Sequence, residues 1–193
     1  MGIEKNRVSF FEAPVSNVFP CRVLGVREVY ELISGEVYKE RTMRLRGISE
    51  PKRAREFKAR EFDYCTFAGV FSRRCAQDIV SHSGLMVLDF DHVRYLNDLF
   101  CKLLYDEYFE TQLLFRSPSG DGLKWVIEYN VGKVGHERYF GAVANYIQDR
   151  YGVEVDRSGR DLARGCFLCY DSAAYINPDF STEAQRTQKF TEV

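Results

Sequence analysis

The stretch Ser81-His-Ser-Gly-Leu-Met-Val-Leu-Asp-Phe-Asp-His92 guides the interpretation of the rest of the chain. Its apolar run predicts a buried β-strand that ends in Asp89-Phe-Asp91. Side chains alternate between the two faces of a strand, so Asp89 and Asp91 are predicted to point the same way. Two such carboxylates form half of a divalent-metal site, because a buried carboxylate needs a compensating cation. The alternative is a strand that simply ends in polar residues at the surface.

Length and composition are typical of a globular domain. The chain has 193 residues, of which 45% are hydrophobic and 15% aromatic, enough for a substantial core. No apolar window is long enough to cross a membrane, and the N-terminus lacks the apolar segment of a secretory signal. The six cysteines are expected to be thiols, and the lone Cys166-Phe-Leu-Cys169 has no second pair with which to bind zinc. A cytoplasmic protein without a membrane partner is therefore expected.

Positive charge is concentrated in one segment, although the formal net charge of the chain is only −1. Residues 39–60 contain nine Lys or Arg and three Glu, which gives this segment +6 and leaves −7 for the remainder. Such a segment is either a solvated helix face or a surface for nucleic-acid phosphates. In the second case, the candidate nucleic-acid contacts are Arg53, Arg55 and Lys58, together with Arg74.

Hydrophobic periodicity predicts helices and strands in mixed order. The predicted helices lie at about 25–34, 51–60, 94–105 and 136–151. The predicted strands lie at 8–11, 85–88, 112–116, 123–129, 153–155 and 166–170. The strands at 112–116 and 123–129 form a hairpin. Because strands and helices do not alternate strictly, the pattern favours an α+β fold with a largely antiparallel sheet covered by helices.

Two further motifs accompany the Asp-x-Asp pair. The first is the turn Ser117-Pro-Ser-Gly-Asp-Gly122, whose amides and hydroxyls suit an anion, with Lys124 just beyond it. A tight hairpin loop would also use these residues. The second is Asp156, at the end of a short apolar run, followed by Arg164, a residue type that clamps phosphate. Either of these two could instead belong to a surface ion pair.

The three motifs together predict a nucleotide site. Asp89, Asp91 and Asp156 are the candidate catalytic residues and ligands for Mg²⁺ or Mn²⁺. The candidate nucleotide-binding residues are Ser117, Ser119, Gly120, Gly122, Lys124 and Arg164. Two-metal phosphoryl transfer needs carboxylates for the ions, and cations and amides for the phosphates.

As an ordered set, these motifs resemble the archaeo-eukaryotic primase superfamily, and more closely the N-terminal primase-polymerase-like domain of virulence-associated E (VirE) proteins. The resemblance runs from about residue 67 to 178. It implies an RRM-like catalytic core. Residues 1–66 are predicted to form a helical and basic part packed on this core, and the polar composition of 179–193 predicts a tail or the start of a linker. The resemblance also implies DNA replication in a bacterial or mobile-element system, with DNA and nucleoside triphosphates as partners and a helicase-type ATPase in cis or in trans.

One position departs from the superfamily. Where active primases usually carry a His that contacts the triphosphate, this chain has Lys124, which binds phosphate as a point charge. Nucleotidyl transfer on a DNA template is therefore one hypothesis. The alternative is a non-catalytic module that binds nucleotide or single-stranded nucleic acid and assists a helicase. A metal-dependent nuclease and a DxD glycosyltransferase are weaker alternatives.

Overall fold

The computed structural model describes residues 2–3, 5–130, 132 and 134–180 of the 193-residue chain. In this part of the chain, five α-helices and three β-sheets form an α+β fold. Only the pair β1–β6 is parallel, and the other strand pairs described are antiparallel. The predicted fold class and the largely antiparallel sheet are confirmed.

The helices are α1 (Val26–Ser34), α2 (Lys39–Arg46), α3 (Pro51–Glu61), α4 (Leu96–Leu104) and α5 (His136–Tyr151). The strands are β1 (Gly2–Ile3), β2 (Arg7–Phe11), β3 (Arg22–Gly25), β4 (Tyr64–Thr66), β5 (Gly69–Phe71), β6 (Ile79–His82), β7 (Leu85–Phe90), β8 (Thr111–Arg116), β9 (Leu123–Glu128), β10 (Cys166–Phe167) and β11 (Tyr175–Ile176). A 3₁₀ helix at Arg157–Arg160 follows α5.

The main sheet has the strand order β11-β8-β9-β7, and it is buried on both faces. Alternate residues of β7 enter two different cores. Met86, Leu88 and Phe90 pack in the core formed with α4 and α5, whereas Leu85 and Val87 pack in the core formed with α1, α2 and α3. Because Asp89 shares the face of Val87, its side chain is directed toward the N-terminal helices.

The second sheet has the order β10-β4-β2-β3, and a third small sheet has the order β1-β6-β5. Strand β2 pairs with both β3 and β4. Helix α1 buries Val29 and Ile33, while the basic helix α3 buries Phe57 alone. The first quarter of the chain is therefore joined to the main core through shared strands and helices.

Several predicted boundaries need correction. The strand predicted at 153–155 is wrong, because this segment forms no ladder with the sheet. Val155 is buried in the core beside β7, and the next residue, Asp156, donates its amide to the Asp89 carbonyl oxygen, 2.8 Å away. The strand predicted at 166–170 is only two residues long, and α2 was not predicted. Of the predicted tail, residues 181–193 lie outside the described residues.

Among the residues that the structure describes, none of the helices combines the length and apolarity needed to cross a membrane.

Candidate functional site

The centre of the candidate site is an ion pair between neighbouring strands. In the antiparallel pair β7–β9, Asp89 lies opposite Lys124, and the Lys124 ammonium donates a hydrogen bond to Asp89 Oδ2. Lys124 is only 5% exposed. Burial alone lowers the pKa of Lys124, but the Asp89 carboxylate outweighs it and the net pKa lies above the ordinary value. The ammonium group therefore stays charged in the sheet.

The second oxygen of the Asp89 carboxylate, Oδ1, is buried and has no hydrogen-bond partner among the described residues. A buried oxygen of this kind carries a desolvation cost of about 1–3 kcal/mol, and more if the group is charged. Such an atom is a potential acceptor for a cation or a donor that binds at this site.

Asp156 lies beside Asp89, but its carboxylate is already used within its own loop. Oδ1 accepts from the Ser158 amide at 2.9 Å, and Oδ2 accepts from the Ser158 hydroxyl at 2.6 Å and from Arg164 Nη2 at 3.1 Å. Burial alone raises the pKa of Asp156, but the bonds from Ser158 and the charge of Arg164 lower it overall. Asp156 is thus the ionised cap of the 3₁₀ helix, and its role as a metal ligand stays a prediction.

Asp91 is exposed and follows directly after β7. Its negative charge favours the protonated forms of both Lys58 and Lys124. This effect adds to the raised pKa of Lys124 and partly opposes the lowered pKa of Lys58. Asp91 also lines a cavity of about 390 Å³ between α4 and the residues that follow α5, next to Tyr95 and Tyr151. Across the ranges described, no group of three His, Cys, Asp or Glu side chains is arranged to hold a metal ion.

The Ser/Gly turn lies against the end of β7, where the Asp121 carbonyl oxygen accepts from the Val93 amide at 2.7 Å. Within the turn, the Ser117 hydroxyl accepts from the Gly122 amide at 3.1 Å, and the Ser119 hydroxyl donates to Asp121 at 2.6 Å. These groups therefore bind one another in the structure. Phosphate binding by Ser117, Ser119, Gly120 and Gly122 stays a prediction.

Arg46, at the end of α2, holds this turn from outside. Its guanidinium donates to the Pro118 carbonyl oxygen at 3.2 Å and to the Ser117 carbonyl oxygen at 3.3 Å. Sequence reasoning missed this contact, because 71 residues separate Arg46 from Ser117 and no local pattern links them.

Lys58, a member of the basic segment, lies with its Nζ 5.6 Å from the centre of the Phe167 ring and within electrostatic range of the ion pair. Burial and the nearby charge of Lys124 lower its pKa, and the carboxylates of Asp91 and Asp89 partly offset this effect. By contrast, Arg53 and Arg55 are exposed on α3. Arg74 stacks over the ring of Tyr64 at 4.9 Å. Three cations, Lys58, Lys124 and Arg164, are thus interleaved with the three carboxylates.

A histidine that sequence reasoning missed supports the loop of Asp156. The Gly159 carbonyl oxygen lies 3.3 Å from His136 Nε2, and the Tyr129 hydroxyl lies 3.0 Å from Nδ1. Because a carbonyl oxygen can only accept, the neutral ring carries its proton on Nε2 and accepts from Tyr129 at Nδ1. Phe140 packs so closely on Gly159 that an added Cβ would lie 2.6 Å from its ring. His136 and Phe140 thus fix the 3₁₀ helix capped by Asp156.

Burial lowers the pKa of both His136 and His82. A depressed pKa contributes stability that is complete above the unfolded pKa of about 6.5 and is lost as the pH falls through the folded pKa. We expect stability to fall between pH 7 and pH 5, by at most about 1.4 kcal/mol per pH unit for each histidine. In His136→Gln this loss should be smaller, as measured by urea denaturation at both pH values.

The control for the pH experiment is His92→Gln, which replaces an exposed histidine outside this buried contact. If the wild type and His136→Gln lose the same free energy of unfolding between pH 7 and pH 5, then His136 does not contribute to the pH dependence.

Comparison with known proteins identifies the family. No curated protein and no solved structure matches the chain. A family model described as "BT4734-like, N-terminal domain" matches residues 57–176, which is more than half of the chain. The resemblance to the primase-polymerase-like domain of VirE proteins was therefore wrong as a family assignment, since the matching model is a different one. The chain belongs to the family of BT4734-like N-terminal domains.

Proposed function

We propose that the chain binds a nucleoside triphosphate together with Mg²⁺ or Mn²⁺ and transfers the nucleotide on a DNA template. The reaction would take place in the cytoplasm, during DNA replication of a bacterial or mobile-element system. One observation carries the proposal. The ion pairs Lys124–Asp89 and Arg164–Asp156 lie side by side near the end of β7, with Lys58 and Asp91 within electrostatic range of Lys124, and Asp89 Oδ1 is buried without a hydrogen-bond partner among the described residues. A metal–triphosphate complex carries both signs of charge, so it is complementary to such a mixed site.

The residues present fit a metal ion that arrives with its nucleotide. Mg²⁺ is usually held by one or two carboxylates plus substrate phosphates, rather than by a cage of protein ligands alone. Asp89 and Asp91 would supply these carboxylates, since the carboxylate of Asp156 is bound by Ser158 and Arg164. When bound, the metal would neutralise phosphate charge.

The protein cations would bind the phosphates. Lys124 and Arg164 contact the carboxylates of Asp89 and Asp156 directly, and the planar group of Arg164 is suited to paired phosphate oxygens. Lys58 adds a third positive charge within electrostatic range of Lys124. The cavity of about 390 Å³ beside Asp91 falls within the size range of ligand sites and has tyrosine rings in its lining, so it would suit a nucleoside. The exposed Arg53 and Arg55 would contact the template backbone with salt-sensitive affinity, and Arg74 would assist them.

A second candidate is a non-catalytic module that binds nucleotide or single-stranded nucleic acid beside a partner helicase. The observation that favours it is that the carboxylates of Asp89 and Asp156 already have partners within the protein. Lys124 occupies one oxygen of Asp89, and Asp156 is used as a helix cap. Such a module would bind without turnover.

The experiment compares the wild type with Asp91→Asn, which alters an exposed residue and should leave the fold intact. We expect Mn²⁺-dependent binding of a fluorescent nucleotide by the wild type. Loss of one ligand should weaken this binding by about tenfold or more, which corresponds to 1.4 kcal/mol. Asp149→Asn, an exposed change on α5, is the matched control and should bind like the wild type.

Primer extension with Mn²⁺, nucleotides and template DNA separates the two candidates. Extension that Asp91→Asn abolishes supports nucleotidyl transfer, whereas binding without extension supports the module. The absence of any nucleotide affinity in the wild type would remove both.

A further inference from the structure

Lys124 is itself a cation bound where the proposed metal would bind. Its ammonium group contacts Asp89 Oδ2, it is 5% exposed, and the β7–β9 register fixes the two residues opposite each other. The negative charge of the Asp89 carboxylate is therefore already compensated by the ammonium group of Lys124. A divalent ion that reaches Asp89 must therefore compete with Lys124 for the same charge.

An ammonium group displaced from Asp89 needs another anion, because an unpaired buried charge is costly. The surroundings offer little. The carboxylate of Asp156 is already bound by Ser158 and Arg164. The charge of Asp91 acts on Lys124, but Asp91 is exposed to water and would itself bind the incoming metal ion. Lys58 and Arg164, which are cations themselves, would repel the displaced ammonium group. The phosphates of a nucleotide would supply the missing anion.

We propose that Lys124 is a built-in counter-cation that exchanges between Asp89 and the phosphates of the bound nucleotide, so that metal and nucleotide bind cooperatively. The inference rests on the proposed function. It assigns Lys124 two alternative partners. Without nucleotide, Lys124 keeps metal affinity low. With nucleotide, it releases Asp89 and neutralises phosphate charge.

Two variants test the two halves of the exchange in opposite directions. Lys124→Met keeps most of the length of the unbranched side chain and removes its charge. We expect it to bind Mn²⁺ alone about tenfold more tightly than the wild type, within the usual range of coupling between two ligands. It should bind inorganic triphosphate in EDTA about tenfold more weakly. Free Mn²⁺ is counted by electron paramagnetic resonance, and triphosphate binding is measured by calorimetry.

Asp89→Asn is the mirror experiment, since its amide oxygen still accepts a hydrogen bond but no longer holds Lys124 by charge. It should bind triphosphate in EDTA about tenfold more tightly than the wild type and should lose affinity for Mn²⁺. Lys52→Met, an exposed change on α3, controls for the loss of one positive charge and should match the wild type with both probes.

The outcomes separate the two proposals. If the wild type binds the manganese–nucleotide complex but both variants bind Mn²⁺ and triphosphate with wild-type affinity, the exchange is overturned and the proposed function stands. A wild type that binds no nucleotide overturns the proposed function, and the exchange with it. Because the two variants alter opposite partners of the pair, either one that folds decides the question.

Discussion

Asp89→Ala is expected to lower the free energy of unfolding by about 3–5 kcal/mol, the usual effect of removing one partner from a buried ion pair. The reason is the position of Lys124, which is 5% exposed and would keep its charge in the sheet without a counter-ion. Urea denaturation of purified protein measures the effect. The matched control is Glu31→Ala in the exposed pair Arg27–Glu31, where we expect a loss of at most about 0.5 kcal/mol.

The double variant Asp89→Ala/Lys124→Met is expected to recover most of that loss, because replacing both members of a buried pair with apolar groups is often neutral. Lys124→Met alone should destabilise less than Asp89→Ala, since the side chain of Asp89 is 20% exposed and keeps some access to water. If the double variant loses as much stability as the two single variants combined, the pair does not act as a unit in the way the structure indicates.

Gly122→Ala is the second change for which we expect a large effect. A Cβ at this position would lie 2.2 Å from the Phe90 carbonyl oxygen and 3.1 Å from the Ser117 hydroxyl. The carbonyl belongs to the backbone of β7 and cannot rotate away, so the ends of β7 and β9 must separate. We expect a loss of about 3 kcal/mol, the upper part of the usual range for overpacking, measured by urea denaturation.

Gly141→Ala is the control for Gly122, because a Cβ at Gly141 would meet no atom within 4 Å. Gly141 lies inside α5, where alanine should stabilise the helix by up to about 1 kcal/mol. Equal stability of Gly122→Ala and the wild type would contradict the steric role of Gly122. A steric role would also explain a glycine at this position without any bound phosphate.

The local parts of the fold could be predicted from the sequence. Helix α5 begins and ends at the predicted residues, and strands β8 and β9 form the predicted hairpin. These elements have strong periodicity and short-range partners. The segment 153–155 was predicted as a strand from composition alone, but it is held by packing of Val155 and by one backbone bond, without a ladder.

The candidate site was less predictable, since its contacts depend on register between distant segments. Sequence reasoning named both Asp89 and Lys124 but assigned them to different ligands. Their pairing follows only from the alignment of β7 with β9. The support from His136 to Gly159 spans 23 residues and leaves no periodic signal. The sequence thus indicated which residue types collect at the site, while long-range packing decides which of them meet.

Strand β2 lies outside the segment that the family model matches but belongs to the same sheet as strand β4. The family model begins at Phe57, yet β2 lies between β3 and β4 in the second sheet. Arg46, also before the match, holds the turn beside Asp91. A polypeptide cut at Phe57 would leave the edge of β4 unpaired and the Ser/Gly turn without its guanidinium clamp. The segment that the family model matches is therefore shorter than the segment whose contacts complete the second sheet and hold the Ser/Gly turn.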